Sequence, residues 1–137
     1  MTVVIDASIS ASWLLPDEEN ELARQVLLDL ERSPAFVPSI WDYEIRNILI
    51  VNERRGRITR DAADAAINLL AGLNMIRDRA TNWARVTELA REFTLTAYDA
   101  AYLELAVRLD LPVATLDKAL TSAAAKMNRL AIAAPKP

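Results

Sequence analysis

The 137-residue chain contains no histidine and no cysteine, and only two glycines, Gly56 and Gly72. The missing histidine excludes Ser-His-Asp and Cys-His catalysis, HExxH zinc sites and histidine acid–base ribonuclease chemistry. The missing cysteine excludes disulfides, zinc ribbons and thiol nucleophiles. Two isolated glycines cannot write a Walker A loop or a GxGxxG fingerprint. There is no excess of positive charge: 16 basic residues face 19 acids, a net of −3. No stretch approaches the ~18 apolar residues of a membrane-spanning helix. The start, Met1 to Leu15, has no basic leader and carries Asp6 within its apolar run. A cytoplasmic protein with no membrane association is the default expectation. What remains for chemistry is carboxylates, hydroxyls, Lys, Arg and a metal ion.

The composition is 53% hydrophobic and 26% charged, enough apolar material for a core. The length suits one domain, expected over residues 1–134, with Pro135-Lys136-Pro137 as a short tail. Short apolar runs at 2–5, 36–38, 74–76, 113–116 and 130–132 read as strands. Helical patterns fill the intervals, at about 7–15, 19–32, 40–55, 60–71, 82–93, 96–111 and 118–127. Ser39, Thr59 and Thr96 stand where N-caps belong, and Asp17, Glu18 and Glu19 lead toward the second helix. Gly56 suits the residue after a helix end. Apolar strands alternating with helices imply an α/β fold whose parallel sheet is covered by helices.

Asp6 and Asp117 each follow an apolar strand directly. In parallel sheets, strand carboxyl ends share one edge, where ligands bind. Each acid is also a sound N-cap for the helix it precedes. Asp99, three residues after Thr96, reads equally as a capping-box acid and as a third acid at that edge. Glu44 borders the apolar side marked by Trp41, Ile45, Ile48 and Leu49; it is either a carboxylate reaching for water or one held at a site. Gathered carboxylates repel unless a cation neutralises them. An all-oxygen donor set suits Mg²⁺ or Mn²⁺, which activates water and polarises phosphoryl oxygens. Arg46, Arg54, Arg55, Arg57 and Arg60 cluster around the Gly56 turn. They read either as solvated, dipole-matched helix-end charges or as a weak track for a nucleic-acid backbone.

Four segments carry a resemblance: Val-Val-Ile-Asp-Ala-Ser at 3–8, Trp-Asp-Tyr-Glu-Ile-Arg-Asn-Ile-Leu at 41–49, Leu-Thr-Ala-Tyr-Asp-Ala-Ala-Tyr-Leu-Glu-Leu-Ala at 95–106, and Ala-Thr-Leu-Asp-Lys-Ala-Leu at 114–120. In their order and spacing they resemble the PIN-domain family, and within it VapC-type toxins of bacterial toxin–antitoxin pairs. The resemblance implies a PIN-like three-layer fold with a central parallel sheet in strand order 3-2-1-4-5. It implies a Mg²⁺- or Mn²⁺-dependent endoribonuclease whose metal-activated water leaves a 5′-phosphate and a 3′-hydroxyl. The family's acidic quartet falls on Asp6, Glu44, Asp99 and Asp117, with Asp6 and Asp99 as direct metal ligands. Ser8, Asn47 and Thr115 match positions that support the site by hydrogen bonding. A homodimer and a cognate VapB-type antitoxin are also implied. In the family an antitoxin segment crosses the helices near the site, and Trp13-Leu14-Leu15 is either part of that groove or plain core. Two rivals stand: a non-catalytic PIN-like interaction domain, and a receiver-like phosphoryl-transfer domain. The second fits poorly, because Ala7 follows Asp6 and Lys118 directly follows Asp117.

Overall fold

A computed structural model describes residues 1–135; Lys136 and Pro137 of the expected tail lie outside the described residues. The strands are β1 (Val3–Ile5), β2 (Ala35–Pro38), β3 (Met75–Asp78) and β4 (Val113–Ala114). The helices are α1 (Ala7–Leu14), α2 (Glu21–Asp29), α3 (Ile40–Arg54), α4 (Arg60–Ala71), α5 (Trp83–Phe93), α6 (Ala97–Leu109) and α7 (Lys118–Lys126). All strand pairs are parallel, in the order β3-β2-β1-β4. Val4 of the central strand aligns with Phe36 on one side and Val113 on the other. Val3, Val4 and Ile5 are wholly buried, as expected of a strand covered on both faces.

The expected order 3-2-1-4-5 holds for its first four positions, but the fifth strand shrinks to one rung. Leu130 bridges Val113 in parallel, through Val113 N–H to the Arg129 carbonyl (2.6 Å) and Ala131 N–H to the Val113 carbonyl (2.8 Å). The cause lies in β4, expected over 113–116 but only two residues long. Asp117 N–H donates to Thr115 Oγ1 (3.0 Å), and the Asp117 carboxylate accepts from Leu120 N–H (2.9 Å). These bonds turn the chain into α7 and leave no ladder for a longer neighbour. Beyond the rung, Ala134 exchanges two hydrogen bonds with Gln25 of α2.

Most helix starts follow from their caps: Asp6, Asn20, Thr59, Asn82, Thr96 and Asp117 each accept a first-turn N–H. Ser39 is an exception to the expectation. Its backbone is already helical (φ −58°, ψ −27°) and its side chain caps nothing. Asp42, three residues on, is engaged by Arg77 (2.6 Å) and Arg46 (3.2 Å) instead of closing a capping box. The acids at 17–19 precede α2, where only Glu21 sits in the first turn. Gly56 closes α3 at φ +73°, where a side chain would be strained.

Helix α6 departs furthest from its pattern. The sequence places Ala100, Leu103, Ala106 and Val107 on one side, yet every residue from Ala100 to Ala106 is buried. The helix packs on β1, β2 and β4 and against α5 and α7. A helix enclosed on all sides has no polar face to read. Within it, Glu104 is 2% exposed and accepts from Arg108 Nε (2.7 Å) and Asn82 N–H (3.2 Å). Arg108 also donates to Asp78 at the end of β3 (2.7 Å) and holds that carboxyl below its usual range. Among the described residues, no helix is long and apolar enough to cross a membrane.

Candidate active site

The carboxyl edge of the sheet collects the four acids. Asp6 follows β1 and is 4% exposed. Its Oδ1 accepts from Ser8 Oγ (2.5 Å) and Ile9 N–H (3.3 Å), and its Oδ2 accepts from Thr115 Oγ1. Ser8 Oγ in turn accepts from Leu116 N–H (2.9 Å), joining the ends of β1 and β4. Asp6 and Asp117 therefore do cap their helices; capping and site placement coexist. Asp99 enters from the first turn of α6, where Thr96 Oγ1 caps the Asp99 N–H (3.1 Å). Glu44 leans in from α3, and its Oε1 accepts from the buried Tyr102 hydroxyl (2.6 Å).

The acids feel one another. Burial raises the Asp6 pKa, the hydroxyls of Ser8 and Thr115 oppose that rise, and Asp117 adds repulsion. Burial also raises Glu44; the Tyr102 hydroxyl opposes it, and Asp6 and Asp117 push it up. Asp99 is raised to about 6 by burial, then by Asp117, Glu44 and Asp6. Asp117 thus acts on Asp6, Glu44 and Asp99, and Asp99 feels all three of the others. Isolated capping acids scattered over a surface would not do so.

The PIN domain pattern matches residues 3–126. This chain belongs to the PIN-domain family. It is 29% identical over 124 residues to Ribonuclease VapC3 of Pyrobaculum aerophilum, covering 88% of this chain and 92% of that protein. A crystal structure of a Pyrobaculum aerophilum protein is similar at TM-score 0.68 and 24% identity, covering 90% of this chain and 79% of that one. FitAcB of Neisseria gonorrhoeae is similar at TM-score 0.59 and 21% identity, covering 91% and 94%. VapBC2 of Rickettsia felis, bound to a DNA fragment from its promoter, is similar at 0.58 and 10%, covering 85% and 89%. At such identities these structures show the shared PIN fold.

The metal that PIN nucleases imply meets a mixed picture here. The donors are all hard oxygens, and Asp6, Glu44 and Asp99 have pKa values raised first by burial and then by neighbouring carboxylates. That chemistry fits a hard divalent cation. Yet among the described residues no three acids are gathered into a metal-holding cluster. The electrostatic coupling carries more weight, because repulsion keeps uncompensated carboxylates apart. Hydroxyls also hold two of them, Asp6 by Ser8 and Thr115, Glu44 by Tyr102.

Of the other sequence candidates, Ser8 and Thr115 contact Asp6 directly. Asn47 is exposed one turn beyond Glu44 on α3, and its side chain makes no hydrogen bond among the described residues. Arg46 pairs with Asp42 (3.2 Å). Arg54, Arg55 and Arg57 are exposed around the far end of α3. Ten residues of helix separate Glu44 from Arg54, roughly 15 Å at the standard rise. They are not part of the carboxylate cluster. Sequence reasoning missed Tyr102, which sits inside a continuously buried stretch. Its three-residue spacing from Asp99 was the available signal, since i and i+3 share a helix face.

Proposed function

We propose that this chain is a VapC-type endoribonuclease toxin that hydrolyses RNA phosphodiesters with Mg²⁺ or Mn²⁺. The observation that carries the reading is geometric: Thr115 ties Asp6 to the turn that holds Asp117, and Tyr102, one turn along α6 from Asp99, binds Glu44. The name of the Pyrobaculum aerophilum relative, a ribonuclease, supports it. Asp6 and Asp99 would hold the ion, with Asp117 supporting them. A bound ion would polarise the phosphoryl oxygen and supply hydroxide from its water. The chain's own part is to orient and to move protons. Ser8 and Thr115 fix both oxygens of Asp6. Tyr102 fixes one oxygen of Glu44, leaving the other to orient the attacking water. No histidine is required.

A VapB-type antitoxin and a homodimer complete the proposal. The VapBC2 complex supports the first by likeness of fold. A cleft of about 490 Å³ between α1 and α2, lined by Trp13, Ala23 and Leu27, is suited to an antitoxin segment. Trp13 Nε1 donates to the Ala23 carbonyl at its base (2.7 Å). Leu15, by contrast, is core.

Purified chain free of antitoxin is expected to cleave single-stranded RNA with Mg²⁺ or Mn²⁺ and to stop in EDTA. Absence of cleavage, or cleavage indifferent to chelation, overturns the reading. Tyr102→Phe tests the Glu44 role. Loss of a supporting hydrogen bond at a metal site typically costs about 10–100-fold in activity. Glu44 would also lose the partner that opposes its raised pKa. The acid limb of the pH–rate profile should therefore move to higher pH. A variant with unchanged rate and profile removes Tyr102 from the mechanism.

A further inference from the structure

A slot of about 190 Å³ opens between the starts of α3, α5 and α6, its lining including Tyr43 and Ala101, the chain neighbours of Glu44 and Tyr102. Three of its lining residues are large aromatics left in solvent: Tyr43 at 75%, Trp83 at 71% and Tyr98 at 59% exposure. They come from three separate elements, and Ser39, Ile40 and Thr81 also line the slot. Small-molecule sites usually span ~300–1,000 Å³. A slot this small takes a single flat ring system.

Its place along the chain gives the ring a chemical class. Tyr43 directly precedes Glu44, and Tyr98 directly precedes Asp99. Three exposed aromatics, two of them adjacent in the chain to acids of the proposed site, match a single-stranded nucleotide. Single-stranded RNA is commonly recognised by stacking unpaired bases on aromatic side chains. We propose that this slot takes one unstacked base of the RNA next to the bond that is cut, a specificity subsite that rests on the ribonuclease reading above.

The test separates binding from cleavage. A 12-nucleotide single-stranded RNA carrying 2-aminopurine is titrated with the full chain in EDTA. Stacking quenches the probe. Trp83→Ala and Tyr98→Ala should each weaken binding about 10- to 100-fold, with Trp83→Phe restoring most of it. Both side chains are exposed, so melting temperatures should stay near the wild-type value. Unchanged affinity in both variants overturns the slot. So does a shift of the variants from dimer to monomer by sedimentation, which would make the aromatics a subunit contact. Intact, variant-sensitive binding without any metal-dependent cleavage supports the slot and overturns only the ribonuclease reading.

Discussion

Asp99→Asn is expected to reduce RNA cleavage by at least about 100-fold, the scale for losing one group that stabilises transition-state charge, and yet to raise the melting temperature. Both effects follow from the same position. The Asp99 pKa stands at about 6 against an ordinary 3.8, through burial and the repulsion of Asp117, Glu44 and Asp6. The folded state therefore binds the Asp99 proton more tightly than the unfolded state. Its destabilising effect is absent below about pH 4, grows toward pH 6 and is complete above it. That difference corresponds to about 3 kcal/mol at full weight. Solvent screens a group about half exposed, which leaves ~1 kcal/mol. An acid in the first turn also gains about 0.3–1 kcal/mol from the helix dipole, which Asn forfeits. The net gain at neutral pH is up to about 0.7 kcal/mol, a melting temperature higher by at most about 2 °C. The variant should also lose the fall in stability between pH 4 and 6. Mn²⁺ should stabilise the wild type more than the variant, because the ion supplies the charge compensation that Asn no longer needs. Thermal melts across pH, with and without Mn²⁺, check each arm. A variant that melts lower, or keeps full activity, contradicts the shared anionic site.

This tension between function and stability explains why part of the site could be read from the sequence. Asp6 and Asp117 end β-branched or apolar runs, where a carboxylate interrupts a pattern that burial alone would continue. Glu44 stands out against Trp41, Ile45 and Leu49, which are all buried. The strands were legible as short apolar runs between helices, whereas their order came from the family resemblance and holds through four strands. The fifth failed because Leu130-Ala131-Ile132 had no partner ladder once Thr115 and Asp117 had turned away. Tyr102 and Glu104 were hidden for another reason. Periodicity marks one face of a helix, and a helix buried from Ala100 to Ala106 has no second face for contrast. The aromatic slot was invisible because positions 43, 83 and 98 meet only after α3, α5 and α6 have packed.

Arg108→Met should be the most destabilising of these changes, though it lies away from the acids. Glu104 is 2% exposed, and its charge is answered by Arg108 at 2.7 Å. Asn82 N–H offers a further hydrogen bond but no charge. Removing one partner of a buried pair typically costs about 3–5 kcal/mol, because the remaining charge has lost its compensation. For a chain of this size that lowers the melting temperature by roughly 10–20 °C. Asp78 adds a pH signature. Arg108 holds its pKa down, so this part of the stability is present above its ordinary value of 3.8 and is lost as pH falls through the lowered folded value. The variant should lack that acid-dependent loss. The double variant Glu104→Leu/Arg108→Met removes both charges and should recover most of the stability in urea titrations, a coupling that single substitutions cannot show. The same bonds tie the end of β3 and the start of α5 to α6. Arg108→Met should therefore loosen Trp83, next to Asn82, and weaken binding of the 2-aminopurine RNA well below the melting temperature, with cleavage per bound molecule retained. A loss of less than about 1 kcal/mol would mean that Glu104 finds water or a proton once Arg108 is gone, and that α6 is held by its apolar packing alone.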